Sequence, residues 1–127
     1  MALVLADTSI WVAHFRKSNT SFASLLANDQ VLCHPLVLIE LACGSPPAPR
    51  SKTLSYIKKL RQAVVATTEE TLKFIEAHKL NDSGCGAIDV SLLASALLSG
   101  NTLIWTFDKN LESLAGRLGI SYNQQLH

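Results

Sequence analysis

Near its start the chain reads Leu3-Val4-Leu5-Ala6-Asp7-Thr8-Ser9-Ile10-Trp11, an apolar run that meets a carboxylate and two hydroxyls. The run is too short for a helix, and it stops where residues typical of a helix start begin. We therefore predict a buried strand with Asp7 at its carboxyl end. In an open parallel α/β sheet, that edge collects ligands and catalytic groups, because strand ends and helix N-termini converge on one crevice.

The bulk composition is that of an ordinary globular domain. A length of 127 residues is enough to bury a core without disulfides or metals, and we expect a single domain over 1–127. Charged residues make up 17% of the chain, below the usual ~25%, so we expect a partner to cover part of the surface, with a homodimer as one form of that cover. The net charge of +1 excludes a globally basic nucleic-acid coat but allows a local basic patch.

The cysteines indicate a reducing compartment. Cys33, Cys43 and Cys85 are odd in number and lack C-x-x-C spacing, which argues against a disulfide framework and against a zinc ribbon. A zinc site built from these thiols and His34 stays open as an alternative. The chain shows no secretion signal and no apolar run near the ~18 residues of a spanning helix, so we expect a cytoplasmic protein without membrane contact.

Short apolar runs alternate with helical periodicity along the whole chain. After the first strand, further strands are predicted at 31–33, 63–66, 102–106 and, more briefly, 120–122. Helices are predicted at 10–16, 20–28, 36–43, 50–61, 67–79, 87–98 and 108–118. This alternation implies right-handed crossovers, and hence an α/β fold whose parallel sheet of four to five strands is covered on both faces.

Four carboxylates occupy unusual positions in this pattern. Glu40 projects from the apolar stripe of the predicted helix 36–43, and Asp89 shares its helix face with buried-type residues. An unpaired carboxylate buried there would be costly. Asp7 and Asp108 follow the first and fourth strands, so both are expected at the same edge of the sheet.

Each acid also has an ordinary explanation when it is taken alone. Asp7 and Asp108 are good helix N-caps, and Glu40 or Asp89 could be a partly buried acid paired with Lys or Arg. It is the conjunction of the four that favours a common site. Clustered carboxylates repel one another, and divalent cations relieve that repulsion. Hard oxygen donors favour Mg²⁺ or Mn²⁺ over zinc.

The segments around these acids resemble one family. They are LADTSIW at 5–11, PLVLIEL at 35–41, AIDVSLLASA at 87–96 and TFDKNL at 106–111. Together they extend over nearly the whole chain and resemble a PIN domain of the VapC toxin type. The resemblance implies a three-layer α/β/α PIN-like fold and a metal-dependent endoribonuclease. It also implies the toxin of a bacterial or archaeal VapBC-type pair, with a VapB-like antitoxin as partner.

The resemblance further implies roles for the acids. Asp7, Glu40, Asp89 and Asp108 would form a Mg²⁺ or Mn²⁺ site for RNA hydrolysis, with Asp7 and Asp89 as direct ligands and the other two completing the site directly or through water. Family members often carry a further acid two residues after the last aspartate. Here that position is Asn110, which has no charge, so the resemblance implies a weaker second metal position.

Several other residues are secondary candidates. Contacts to RNA phosphates are expected from basic residues, namely Arg50, Lys52, Lys58, Lys59 and Arg61, with Arg16, Lys17 and Lys109 as further choices. Trp11 and Trp105 are expected in the core. The hydroxyls beside the acids, Thr8, Ser9 and Thr106, could orient water or a phosphate oxygen, although hydroxyls at helix starts are more often simple caps. Apolar helix faces around 11–26 and 54–60 are expected to receive a partner helix or a second protomer.

Two other classes of protein compete with a nuclease. A receiver-like signalling domain also uses strand-end aspartates and Mg²⁺, but it needs adjacent acids after its first strand and a phosphoacceptor aspartate after its third. Here the third predicted strand is followed by Thr67 and Thr68. The other alternative is a PIN fold that binds without catalysis, against which the presence of all four acids argues.

Overall fold

The computed structural model describes residues 1–125, in which strands and helices alternate as the sequence predicts. The strands are β1 (Leu3–Ala6), β2 (Val31–Cys33), β3 (Arg61–Gln62) and β4 (Thr102–Trp105). The helices are α1 (Thr8–Arg16), α2 (Thr20–Ala27), α3 (Pro35–Cys43), α4 (Arg50–Lys58), α5 (Thr68–His78), α6 (Ala87–Ser99), α7 (Lys109–Arg117) and α8 (Tyr122–Gln125). The last two residues of the predicted domain, 126 and 127, lie outside the described residues.

The four strands form one parallel sheet in the order β3-β2-β1-β4. β1 lies between β2 and β4, and Ala6 pairs with Trp105 at the carboxyl end. Asp7 and Asp108 therefore follow adjacent strand ends, which confirms the prediction that they share a sheet edge. The strand order also differs from the 2-1-3-4-5 order typical of receiver domains, so the fold argues against that alternative.

Helices flank the sheet, and the core lies between the layers. Leu5, Leu93, Ile104 and Leu111 are all fully buried there. A second part of the core is aromatic, and its buried residues include both tryptophans, as predicted. Its ring contacts join Trp11 to Phe22 at 4.8 Å between centroids, Phe22 to Trp105 at 5.9 Å, and Trp105 to Tyr122 at 4.7 Å.

The third strand differs from its prediction. It was expected at 63–66, but β3 occupies Arg61–Gln62 and the ladder ends when the Ala63 amide donates to the Cys33 carbonyl at 2.9 Å. The next amides turn to helix α6 instead of a strand: Val64 N–H donates to Ser99 Oγ at 2.9 Å. The prediction was wrong because bonds to distant hydroxyls, which a local apolar pattern cannot reveal, take these amides.

Two smaller boundaries were also wrong. The basic helix predicted over 50–61 ends at Lys58, because the chain must turn there to enter β3. The predicted strand at 120–122 is reduced to one parallel bridge between Ile104 and Ser121, after which the chain enters α8.

Candidate active site

Asp7 is the most firmly held acid of the predicted set. It is only 7% exposed and is the N-cap of α1, where its Oδ1 accepts the Ile10 amide at 3.3 Å. The Ser9 hydroxyl donates to the same oxygen at 2.5 Å, and the Thr106 hydroxyl donates to Oδ2. Both carboxylate oxygens are thus oriented by hydroxyls, in addition to the ordinary helix cap.

The same hydroxyls tie β1 to the segment after β4. Ser9 Oγ accepts the Phe107 amide at 3.0 Å, and Thr106 Oγ1 accepts the Asp108 amide at 2.9 Å. Asp108 in turn is the N-cap of α7 and accepts the Leu111 amide at 2.9 Å. The expectation that Ser9 and Thr106 serve as simple caps was wrong, because they position two acids across a separation of 98 to 99 residues in sequence.

Glu40 reaches the site from α3, but not in the way predicted. The residues of α3 that face the core are Val37 and Leu41, whereas Glu40 is exposed beside them. The Thr8 hydroxyl donates to Glu40 Oε1 at 2.7 Å, which links α3 to the first residue of α1. The burial argument for Glu40 was therefore wrong, while its expected direction toward the end of β1 holds.

The charges of the other three acids all act on Asp89. It occupies the first turn of α6 and is half-buried. Burial raises the pKa of its carboxyl above the ordinary value, and the negative charges of Asp108, Asp7 and Glu40 raise that pKa further, in that order. The structure thus brings the four predicted acids into one electrostatic neighbourhood, which we call the acid cluster (Asp7, Glu40, Asp89, Asp108).

Cys85 also belongs to this neighbourhood. It precedes α6 and is half-buried. Burial and the charges of Asp89 and Asp108 raise the pKa of its thiol to about 11. The thiol is therefore neutral near pH 7. Sequence reasoning did not place Cys85 beside the acids, since no local pattern joins it to Asp108.

Asn110 holds the loop that leads into α6. Its amide nitrogen donates to the Gly84 carbonyl at 3.3 Å. Gly84 has φ +86°, a backbone conformation that favours glycine, and a Cβ added to it would lie 2.8 Å from that same Asn110 nitrogen and displace it. Asn110 therefore supports the loop 81–86.

The alternative zinc site is not formed. His34 is buried and caps α3, with Nδ1 accepting the Leu36 amide at 3.1 Å and Nε2 facing the Ser95 hydroxyl at 3.1 Å, so neither ring nitrogen is available. Burial lowers the His34 pKa and raises the pKa of the Cys33 thiol. The described part of the chain contains no group of three or more His, Cys, Asp or Glu side chains arranged to hold a metal ion.

That finding covers the acid cluster as well, so the fit of a metal rests on the chemistry of the donors. The set consists of carboxylate oxygens whose mutual repulsion raises the pKa of Asp89. Carboxylate oxygen is the donor that Mg²⁺ and Mn²⁺ prefer, and a divalent charge removes the repulsion. The donor set fits a hard divalent cation on these grounds.

Some of the basic residues predicted to contact RNA are bonded within the protein, whereas others lie near the acids. Arg61 forms an ion pair with Asp29 at 2.8 Å, and Arg50 donates to the Gly44 carbonyl at 3.2 Å and to that of Ala42, at the end of α3. Lys109 is exposed directly after Asp108, and Arg16 lines a cavity together with Glu40. Arg16 and Lys109 are thus the basic candidates beside the acid cluster.

A groove leads away from Glu40 along α1. A cavity of about 620 Å³ is lined by Thr8, Glu40, Phe15 and Pro47 among others. A second cavity of about 450 Å³ shares Phe15 and Pro47 and continues past Trp11 to Tyr56 and Ile57 on α4. These two neighbouring cavities, which share Phe15 and Pro47 in their linings and which we call the α1–α4 groove, coincide with the apolar faces predicted to receive a partner.

Comparison with known proteins identifies the family of the chain. The family model described as "PIN domain" matches residues 4–117. The chain is 36% identical over 124 residues to Ribonuclease VapC32 of Mycobacterium tuberculosis, in both strain CDC 1551 / Oshkosh and strain H37Rv, covering 98% of this chain and 99% of those proteins.

The fold has a relative among solved structures. The crystal structure of PAE2754 from Pyrobaculum aerophilum superposes with a TM-score of 0.58 at 16% identity, covering 93% of this chain and 90% of that one. At that identity the likeness concerns the fold alone. The family match and the relatives at 36% identity place the chain in the PIN-domain family, among its VapC-type members.

Proposed function

We propose that the chain is a ribonuclease that hydrolyses RNA phosphodiester bonds as the toxin of a VapBC-type pair. Membership of the VapC-type PIN family supports this activity, since its relatives at 36% identity are named ribonucleases. The assignment to specific residues is carried by two hydrogen bonds between distant segments, from the Thr8 hydroxyl to Glu40 and from the Thr106 hydroxyl to Asp7. Burial, and then the charges of the other three acids, raise the pKa of Asp89, which supports a common site for the four carboxylates.

The acid cluster is the proposed metal site, and its residues are proposed to divide the work. Asp7 and Asp89 are the direct ligands, because Asp7 is fully oriented by hydroxyls and the charges of the other three acids act on Asp89. Glu40 and Asp108 complete the site directly or through water. A bound Mg²⁺ or Mn²⁺ supplies activation of water and neutralisation of charge at the phosphate.

The remaining residues position the acids or leave their charge undisturbed. Thr8 holds Glu40, while Ser9 and Thr106 hold Asp7. The neutral Cys85 thiol beside Asp89 adds no charge that would compete with the acids. Asn110 keeps the loop before α6 in place through its bond to Gly84. Because its side chain is uncharged, we expect it to hold a second metal more weakly than an acid would.

The α1–α4 groove is the proposed site for the VapB-like antitoxin. Its lining is apolar at Phe15, Trp11 and Ile57, and one end opens at Glu40 of the acid cluster. An apolar segment that fills the groove would carry its next residue to the acids. A basic side chain there would replace the metal charge and keep the nuclease inactive.

A homodimer and a cytoplasmic location complete the proposal. Large apolar side chains remain exposed around the end of α6, where Val64 is 51%, Leu97 40% and Leu98 46% exposed. The bond between the Val64 amide and Ser99 places these residues in one neighbourhood, as a dimer contact requires.

No helix within residues 1–125 has the length and apolarity needed to cross a membrane. The nuclease domain is proposed to take in the whole chain, 1–127.

The test is cleavage of total cellular RNA by the purified chain. Discrete fragments are expected with Mg²⁺ or Mn²⁺ and not with EDTA. Asp89→Asn should abolish them, whereas Glu69→Gln, which alters an exposed acid on α5, should leave them unchanged. Intact RNA under all conditions, from a folded sample free of antitoxin, would contradict the proposal.

A further inference from the structure

Phe107 is an exposed aromatic side chain that lies between two residues of the candidate site. It follows Thr106, which orients Asp7, and precedes the acid Asp108, and it is 57% exposed. By contrast Trp11, Trp105 and Phe22 are buried in the aromatic part of the core. Within the part of the chain that the structure describes, Phe107 makes no contact with another aromatic ring. A ring left this far in water adds little to the packing of the core.

The backbone beneath this ring is fixed on both sides. The Phe107 amide donates to Ser9 Oγ at 3.0 Å, and the following amide, of Asp108, donates to Thr106 Oγ1 at 2.9 Å. Both hydroxyls also donate to Asp7. The ring therefore projects from the same bonded backbone that orients the acids, and its attachment relative to them is preset.

We propose that Phe107 binds the RNA substrate by stacking on a base next to the scissile phosphate; this rests on the proposed ribonuclease function. Consecutive Cα atoms are about 3.8 Å apart, so a ring one residue from Asp108 is within reach of a nucleotide whose phosphate lies at the acid cluster. The exposed Lys109 follows Asp108 and supplies positive charge for a neighbouring phosphate. Stacking requires an unpaired base, so the substrate class is single-stranded or looped RNA.

The test measures RNA binding without cleavage. An Asp89→Asn background with Mg²⁺ keeps a fluorescein-labelled random-sequence RNA oligonucleotide intact, and anisotropy gives its affinity. Adding Phe107→Ala should weaken binding roughly 5- to 150-fold, the range that corresponds to the ~1–3 kcal/mol of base–aromatic stacking. Phe107→Tyr and Phe107→Trp should retain the affinity within about threefold, because both keep an aromatic face.

Two controls separate stacking from other effects. An oligomer of the same length with abasic sugars should bind equally to the protein with Phe107 intact and to the Phe107→Ala variant, since it has phosphates but no bases. Leu72→Ala removes an apolar side chain of similar exposure, 54%, from α5 and should leave RNA affinity unchanged. Thermal melting of each variant checks that it is folded.

Several outcomes would overturn the proposal. Full affinity in Phe107→Leu would show that the contact is merely apolar and does not need an aromatic ring. If Phe107→Ala weakens binding of the abasic oligomer as much as that of the normal one, the effect belongs to the backbone that holds the acids. Weakened antitoxin binding with unchanged RNA binding would assign the ring to the protein partner instead. If the wild-type chain does not cleave RNA with any divalent metal, the proposed function fails; if it cleaves but Phe107→Ala binds normally, only the stacking proposal fails.

Discussion

β1 and β2 lie side by side, and each is followed by a residue that caps the next helix, Asp7 for α1 and His34 for α3. Each cap is also bonded to a hydroxyl from a distant segment, Thr106 for Asp7 and Ser95 for His34. The surroundings differ in charge. Asp7 lies among three further acids, whereas His34 is 1% exposed and both its ring nitrogens are hydrogen-bonded. We therefore expect the same cap geometry to serve chemistry at one strand end and stability at the next.

Asp7→Asn, at the end of β1, is expected to have the largest effect: activity should be lost while stability is kept. Asparagine remains a good N-cap, so the melting temperature should change little. RNA cleavage should fall by roughly 100-fold or more, because the variant loses a proposed metal ligand, worth several kcal/mol of charge stabilisation. Cleavage assays and thermal melts on the same sample measure both. A large loss of stability with little loss of activity would show that Asp7 is only a cap.

The opposite pattern is expected at His34. His34→Ala removes the cap of α3 and leaves the Ser95 hydroxyl and a small cavity behind, so the free energy of unfolding should fall by about 2–4 kcal/mol. His34→Asn keeps the cap and should lose less. Urea unfolding gives the free energies, and cleavage per folded molecule should stay near the wild-type rate. A selective loss of activity in a stable variant would contradict this division.

Thr106→Val tests whether hydroxyl positioning matters at the Asp7 end. The variant keeps the shape but removes the bonds to Asp7 and to the Asp108 amide, so cleavage should fall about 10- to 100-fold and the Mg²⁺ requirement should rise. Thr102→Val is the matched control, since Thr102 begins the same strand and donates to the Gly100 carbonyl at 2.8 Å, away from the acids. Equal effects of the two variants would remove the special role of Thr106.

The pH dependence of stability should also trace to His34. Burial lowers its pKa below the 6.5 of the unfolded chain, so the unfolded state binds more protons as the pH falls through that value. The free energy of unfolding should therefore decrease toward acid pH, by at most about 1.4 kcal/mol per pH unit. Asp89, whose pKa is raised, acts in the opposite direction at lower pH. Subtracting the free energy of unfolding of His34→Asn from that of the wild type at each pH cancels the contribution of Asp89. If that difference does not change with pH, the prediction is contradicted.

The smallest effect is expected from Asn110→Ala. The Asn110–Gly84 bond is exposed, so its loss should cost about 0.5–1 kcal/mol and should appear mainly as faster amide exchange over 81–86. The start of α6, and with it Asp89, should become less well positioned, which lowers cleavage a few-fold. Unchanged exchange in the loop would show that Asn110 does not support it.

Local pattern predicted the elements that bury a full face. β1 and α6 appeared where apolar periodicity placed them, and Gly44 ended α3 as expected. The strand ends then placed Asp7 and Asp108 together, because adjacent parallel strands end at the same edge of the sheet. The order of the acids along the chain was enough to identify the family.

What the sequence could not predict depends on contacts between distant residues. The Thr106–Asp7 bond spans 99 positions, and nothing local distinguishes such a threonine from a simple cap. The predicted position of Glu40 on the buried face of α3 was wrong. Because α3 is apolar almost all round, periodicity could not select its buried side. β3 was misplaced because serines of α6 compete with the neighbouring strand for its amides.

The brevity of β3 has a consequence for solubility. β3 is an edge strand of only two residues, and beyond it the Val64 and Ala66 amides are occupied by the Ser99 and Ser95 hydroxyls. An open sheet edge with free amides would template pairing with another chain and growth of aggregates. Here an incoming strand finds these two amides already hydrogen-bonded, which disfavours pairing at this edge in a chain that is 48% hydrophobic.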